Sequence, residues 1–471
     1  MNEAICDIGI AGLRGLGRTL ALNIADHEYS VAAYDSDEMV LGSLQVGIDG
    51  RSIAATNSLA ELVCLLRVPR TVMILLPAGP QVDGLISALV PLLAPGDLVI
   101  DAGRSYFKDT DARSKMLDGN GIALLGVGMS GGARANHQVA SIVAGGPRHS
   151  YDQLRHMLED IAVDVNGEPC VAYLGPRSAG HYADMVYCGI EQGVIRLIAE
   201  SYDLMSRGLG LSDAAVQKVY AGWNDSDLSS YFFGILARRL SNNNGVMGGA
   251  LFELIVDEST QNCSGTWASL EARDLGVSIP TIDVAVVMQQ LSNLDEGRVA
   301  FERRVSRRPI QYVGKPDILI DQLKRALYAG MISTFAQGIA LLRVASEVYK
   351  YGFAFEEVAR IWRGCSIIHP HIVQDICDDF YLQPHLANLL SNSQFSRRVR
   401  LRREDLRDVV RLGVETGIPV PALRASLAYY DADRGLGRND PQVLHHNLVR
   451  GLFQEVQKSE RSRRLAPEVG R

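Results

Sequence analysis

The chain has 471 residues, 47% of them apolar, enough for two or three domains at roughly 100–200 residues each. Its 47 basic and 54 acidic residues leave a formal net charge of -7, which argues against a general nucleic-acid binder, since those rest on a basic surface. Seven cysteines, an odd number with no Cys-x-x-Cys pair, argue against a disulfide framework and for a reducing, cytoplasmic setting. No apolar run approaches the ~20 residues of a membrane span, so no membrane partner is predicted. The start, with acidic Glu3 and Asp7, lacks the basic region of a signal peptide.

In chain order, short runs mostly rich in Val, Ile and Leu stand at 5–11, 30–34, 71–76, 98–100 and 122–125, with amphipathic stretches such as 18–26 and 84–93 between them. Strands alternating with helices predict a parallel sheet covered on both faces. Two further apolar runs, 140–144 and 171–174, are placed to extend it. After about Gly175 the texture changes: apolar residues recur at spacings of three and four over 179–208, 282–305 and 317–352. That pattern predicts a large all-helical domain, punctuated late by Pro419 and Pro421. Beyond Tyr430 the chain turns Asp-, Gly- and Arg-rich, and its polar, basic end reads as a tail that packs on something else or stays mobile.

Gly12, Gly15 and Gly17 follow a predicted strand and open a predicted helix, the context of a dinucleotide loop in which glycines let the backbone approach a pyrophosphate at a helix N-terminus. The middle glycine position of Gly12-x-x-x-x-Gly17 is Arg14, whose side chain crowds a cofactor unless it swings outward or pairs with phosphate. Asp35 closes the second strand, 18 residues after Gly17. A carboxylate there accepts hydrogen bonds from an adenosine ribose and repels a 2′-phosphate, so NAD is favoured over NADP, and Asp37 adds to that charge. The alternative is that Asp35 caps a turn. Ser130, Gly131 and Gly132 form a loop whose backbone donors suit an anion. On the helix from Ala179, His181, Asp184, Cys188 and Glu191 stand at steps of three, four and three, on one face. Zinc ligation and a cysteine nucleophile are two readings of that stripe. Ligands from one straight helix cannot surround a metal, however, and no His sits beside Cys188 in sequence, so the stripe is read as the lining of a cleft with a buried polar histidine and no metal. Arg397, Arg398, Arg400, Arg402 and Arg403 form a basic run followed by Glu404 and Asp405, either a solvated or intersubunit face or a site for an anionic partner.

The segments IGIAGLRGLGRTLALNI, DLVIDAGRSYFKDT, GMSGG, GEPCVAYLG, AGHYADMVYCGIEQG, LIAESYDLM, GTWASLEARDLG, RALYAGMISTFAQGIALLRVAS and GIPVPALRASLAYYD closely resemble 6-phosphogluconate dehydrogenase, in the family's order and with nearly its spacing from Ile8 to Asp431. The resemblance implies an α/β Rossmann-like dinucleotide-binding domain over 1–176, a large all-α domain over 177–435 and a C-terminal tail over 436–471. It implies a homodimer in which one subunit's tail reaches the other's active site. It also implies the family's chemistry: NADP takes a hydride from carbon 3 of 6-phosphogluconate, a lysine removes the hydroxyl proton, carbon dioxide leaves, and a glutamate protonates the enediol to give ribulose 5-phosphate.

Carried over position by position, the acid is Glu191, the substrate-binding Ser-Gly-Gly is Ser130, Gly131 and Gly132, and a tail arginine that holds substrate phosphate is Arg450. Other positions depart from the family. The base lysine is Asp184 and its His-Asn neighbours are Tyr187 and Cys188. The tyrosine after the glutamate is Gln192. Two phosphate-holding positions are Asn262 and Gln289, and the tail histidine falls near Val456. The Asn-Arg-Ser/Thr that holds the NADP 2′-phosphate is Asp35-Ser36-Asp37. The cofactor-loop lysine is Pro77, the asparagine of the Gly-Asn pair is Arg104, and two glutamates after Ser-Gly-Gly are Ala133 and Arg134. Losing a general base typically costs about 10²–10⁴-fold. Asp184 and Glu191 also put two carboxylates on the face that meets a phosphorylated acid, where like charges repel and raise each other's pKa. Two readings follow: a non-catalytic binding or regulatory homologue, able to form a heterodimer with an active dehydrogenase, or a diverged NAD-linked oxidoreductase using Arg104, Arg134, Asp184, Cys188 and Glu191 on another substrate. Residual activity of the family's own kind is the third.

Overall fold

The computed structural model describes residues 6–48, 50–130, 141–230, 233–234, 236–237, 264–292, 310–364, 370–386 and 388–435. Strand and helix alternate through the first part: β1 (Ile8–Ala11), α1 (Leu16–Asp26), β2 (Val31–Tyr34), α2 (Glu38–Gln45), β3 (Ile53–Thr56), α3 (Leu59–Leu65), β4 (Thr71–Ile74), α4 (Pro80–Leu89), β5 (Leu98–Asp101), α5 (Phe107–Asp118), β6 (Ala123–Ser130), β7 (Ser141–Gly145) and α6 (Arg148–Ile161). A two-residue hairpin, β8 (Asp164–Val165) with β9 (Glu168–Pro169), leads into β10 (Val171–Gly175). One eight-stranded sheet results, in the order β10-β7-β6-β5-β4-β1-β2-β3. β1, β4 and β5 are buried along their whole length, because helices cover both faces and each face carries its own apolar cluster.

The sheet differs from the sequence expectation in two respects. The runs after Ser130 do extend it, but β7 lies antiparallel to β6, and β10 is parallel to β7. The ten residues between β6 and β7 are fewer than the dozen or more that a parallel crossover requires, so the chain must double back. Helix α6 then supplies a true crossover to β10. The edge strand β3 was not legible: Ile-Ala-Ala-Thr is short, small and only partly buried.

The helical part starts with α7 (Ala179–Asp203), prolonged by a π turn at Leu204–Gly208. It continues with α8 (Asp213–Asn224), α9 (Ser264–Asp274), α10 (Pro280–Ser292), α11 (Pro316–Tyr349), α12 (Phe355–Trp362), α13 (Pro370–Leu382), α14 (Ser393–Thr416) and α15 (Pro421–Gly435). Pro316 and Pro421 begin helices, where a missing N–H costs nothing. Helix α11 is long and apolar enough to cross a membrane, contrary to the reading that no run approaches a span. However, 83% of its most apolar window is buried inside the protein, so it is accounted for as the central core helix, packed on α7 and α14.

At the start of α7 the two parts meet with no side chain between them. A Cβ on Gly180 of α7 would lie 2.5 Å from the Gly126 carbonyl of β6 and 2.6 Å from the Gly145 nitrogen of β7. Helix and sheet therefore touch backbone to backbone, and this seam carries the stripe singled out on α7.

Candidate functional site

At the end of β1 the chain turns through Gly12 (φ 99°) and Gly15 (φ 56°) into α1. A Cβ on Gly17 would meet the Gly12 carbonyl oxygen at 1.9 Å, so only glycine closes the loop this tightly. No side chain caps α1, whose N-cap is Gly15, and a Cβ on Gly15 would meet open space. This is a cradle suited to a pyrophosphate. Asp35 is 9% exposed and braces the loop: Oδ2 accepts from the Leu13 N–H at 2.9 Å and Oδ1 from the Asp37 N–H at 3.0 Å. Arg14 does not fill the cradle. It swings outward, 74% exposed, and its Nη2 forms an ion pair with Asp37 Oδ2. The other oxygen of Asp37 caps α2 through the Met39 N–H at 2.9 Å.

The loop after β5 is pinned by a buried arginine. Arg113 of α5 is 3% exposed; its Nη1 donates to Asp101 Oδ2 at 2.9 Å and to Ser105 Oγ at 2.7 Å, and its Nε to Asp83 Oδ1 at 2.7 Å. Asp101 Oδ1 in turn accepts from the Gly103 N–H at 3.1 Å. The loop so held forces Arg104 into left-handed backbone (φ 55°) and brings its Nε to 3.5 Å from Asp184 Oδ2. Asp184 is buried against β6, where a Cβ on Gly128 would sit 2.3 Å from its own Cβ. Burial pushes the Asp184 carboxyl up, while Arg104 and then His181 hold it down. Burial, not the carboxylate of Glu191, is the first cause of that rise. The expected pair of unmatched carboxylates is also corrected, since Asp184 is matched by Arg104.

The other residues of the stripe take different places. His181 is buried, with Nδ1 2.7 Å from Thr110 Oγ1 and no partner at Nε2 among the described residues, as read for a buried polar histidine. Cys188 is buried and Glu191 half-buried. Ser130 closes β6 with its Oγ 2.5 Å from Ser141 Oγ. Gln192 packs on α9, where a Cβ on Gly265 would strike its Oε1. Pro77 is exposed in the loop after β4, and Gln289 is half-buried on α10. Gly131, Gly132, Ala133, Arg134, Asn262, Arg450 and Val456 lie outside the described residues. The basic run on α14 is neutralised at several points: Arg398 pairs with Asp375, Arg402 with Asp227 and Arg403 with Glu404. Arg398 and Arg402 thus bridge to neighbouring segments, while Arg403 pairs within its own helix.

The sequence reading missed Arg113, Asp101 and Thr110, since pairings across separate elements leave no periodic signal. It also missed Glu200, a buried carboxylate on α7 that accepts from the Ala422 and Leu423 N–H groups at 2.8 and 2.9 Å and from Arg196 at 3.0 Å. Burial pushes its carboxyl up to about 7 against the pull of Arg196 and those N–H groups.

A glycine loop at the C-terminal end of β1, in a sheet with helices on both faces, followed by an all-helical domain, defines a two-domain protein of the nicotinamide-dinucleotide-binding class. Family models agree part by part: the NAD binding domain of 6-phosphogluconate dehydrogenase matches residues 7–175, and the C-terminal domain of 6-phosphogluconate dehydrogenase matches 180–444. The chain is 36% identical over 443 residues to an NADP(+)-dependent, decarboxylating 6-phosphogluconate dehydrogenase of Bacillus subtilis, covering 94% of this chain and 93% of the relative. It is 38% identical over 436 residues to a decarboxylating relative of Synechococcus elongatus, covering 92% of each. The solved 6-phosphogluconate dehydrogenase of Plasmodium falciparum, studied with NADP+ and 6-phosphogluconate, superposes with a TM-score of 0.84 at 30% identity over 93% of this chain and 94% of that one. The chain belongs to the 6-phosphogluconate dehydrogenase family.

Proposed function

We propose that this member of the family binds a nicotinamide dinucleotide but does not oxidatively decarboxylate 6-phosphogluconate, and serves as a binding or regulatory homologue. The observation that carries this reading is the Arg104–Asp184 ion pair, which stands where the resemblance places an asparagine and the base lysine. The family's base takes a proton as a neutral amine beside a phosphorylated acid. A buried carboxylate already engaged by a guanidinium offers that substrate neither a cation nor a free base. The glycine loop, by contrast, keeps the geometry of a phosphate cradle, and the acidic charge of Asp37 just past β2 favours NAD over NADP. On this reading the chain works in the cytoplasm, as a homodimer or as a heterodimer with an active homologue, which light scattering of the chain alone and mixed with such a homologue distinguishes.

The test follows nicotinamide reduction at 340 nm with 6-phosphogluconate, offering NAD and NADP separately, with Asp184→Asn alongside. Binding of a dinucleotide without turnover is the expected result. Turnover that vanishes in Asp184→Asn overturns the proposal, because Asp184 has then taken over as base.

A second reading has its own observation. Asp184 and Glu191 are two carboxyl groups in unlike surroundings, one buried with its pKa raised and the other half-buried, an arrangement that separates acid from base roles. A diverged NAD-linked oxidoreductase acting on a less anionic hydroxy compound is the corresponding function. Oxidation of such a compound by NAD, abolished by Asp184→Asn, supports it.

A further inference from the structure

We infer that the Arg14–Asp37 ion pair is an internal latch that decides which dinucleotide the cradle accepts, with Asp37 standing in for the 2′-phosphate of NADP as the partner of Arg14. The inference rests on the dinucleotide-binding reading above.

Three features of the loop carry it. Arg14 leaves the cradle, with its guanidinium at the lip where β2 ends. That is the side of a Rossmann-like loop where the adenosine ribose is read. A free arginine there is a strong phosphate partner, because its planar fork matches phosphate oxygens. In this chain the guanidinium is engaged by Asp37, which is itself fixed by its second hydrogen bond, to the start of α2. Asp35, the residue the sequence pattern marks as discriminator, is nearly buried and has each carboxylate oxygen bonded to a loop N–H. Its part is to hold the loop's shape, for either dinucleotide. Discrimination then falls to the neighbouring pair: NADP must displace Asp37 from Arg14 and face its charge, whereas NAD leaves the pair intact.

Calorimetric titration of the full chain with NAD, NADP and adenosine 2′,5′-bisphosphate tests this, using the wild type, Asp37→Ser, Asp35→Asn, and Arg14→Ala combined with Asp37→Ser. Serine at position 37 retains an N-cap for α2, so the variant keeps the helix start, which a thermal melt verifies. The wild type is expected to bind NAD more tightly than NADP. Asp37→Ser should gain about ten-fold for NADP and for the bisphosphate, with NAD nearly unchanged and the gain shrinking as salt rises. Adding Arg14→Ala should remove most of the gain, leaving only what lifting the Asp37 charge contributes, and Asp35→Asn should weaken NAD and NADP together. An unchanged NAD-to-NADP ratio in Asp37→Ser, or a gain that Arg14→Ala leaves undiminished, overturns the latch while leaving the cofactor site standing. If no dinucleotide binds the wild type or any variant, the cofactor reading fails and the latch falls with it.

Discussion

Replacing Arg104 with alanine strands the Asp184 carboxylate, of which 4% of the side chain meets solvent. At 3.5 Å and an effective dielectric of about 20, the lost attraction is about 5 kcal/mol. Arg104 is itself 18% exposed, and water entering its place offsets part of that, leaving a cost of about 2–4 kcal/mol. The carboxylate has one escape, which is to take a proton. Its folded pKa already lies above the ordinary value of 3.8 because of burial, and Arg104 is the first of the two groups holding it down. An acid with a raised folded pKa contributes stability that is fully present below its unfolded pKa and lost as pH rises through the folded value. Removing Arg104 moves that loss to higher pH and deepens it. Arg104→Ala should therefore show its full deficit at pH 8 and recover as pH falls toward 5. Asp184→Asn removes the titrating carboxyl, so its cost of about 1 kcal/mol at low pH should shrink as pH rises, because the wild type then loses the stability its buried carboxyl gave. Urea unfolding at pH 5.5, 6.5 and 8, followed by the fluorescence of Trp223, Trp267 and Trp362, measures both. A smaller deficit in Arg104→Ala than in Asp184→Asn at pH 8, or one that does not shrink on acidification, refutes the reasoning.

Glu200 makes a related prediction. With its carboxyl raised from 4.5 to about 7, the stability it contributes is present below about pH 4.5 and lost as pH rises through about 7. The upper bound of that loss is about 3 kcal/mol, so melting temperatures measured from pH 5.5 to 8.5 should fall more steeply for the wild type than for Glu200→Gln. Arg113→Met leaves Asp101 buried and unpaired and should cost about 3–5 kcal/mol in chemical denaturation; a loss under 1 kcal/mol means the loop after β5 is held by other contacts. Gly128→Ala forces a methyl to within 2.3 Å of the Asp184 Cβ and should destabilise by about 1–3 kcal/mol, more than Gly84→Ala on α4, where a Cβ meets open space.

Much of the fold was legible because it is written in local patterns. The all-buried strands β1, β4 and β5 show as apolar runs, and α7 and α11 as three-and-four spacing over several turns. The reversal of β7 was missed, although the shortness of the link after Ser130 encodes it. Within the site, the glycine loop and the face of α7 were readable because glycine and helix spacing are local. What Asp184 does was not readable, since its partner Arg104 arrives from another element eighty residues earlier on a loop that a buried network fixes in place. Counting like charges along one helix predicted repulsion; the tertiary structure supplies the opposite charge.

The glycine seam between α7 and the sheet has a mechanical consequence. Where the two backbones touch at Gly180, not even a methyl fits between them, so the start of α7 is held tightly against β6 and β7. The same tightness limits what mutation can do at position 184: any side chain there must leave its Cβ flat against Gly128 and project away from it, so its charge is free to change while its direction is not. A lineage can thus rewrite the chemistry of this cleft without redrawing the fold around it.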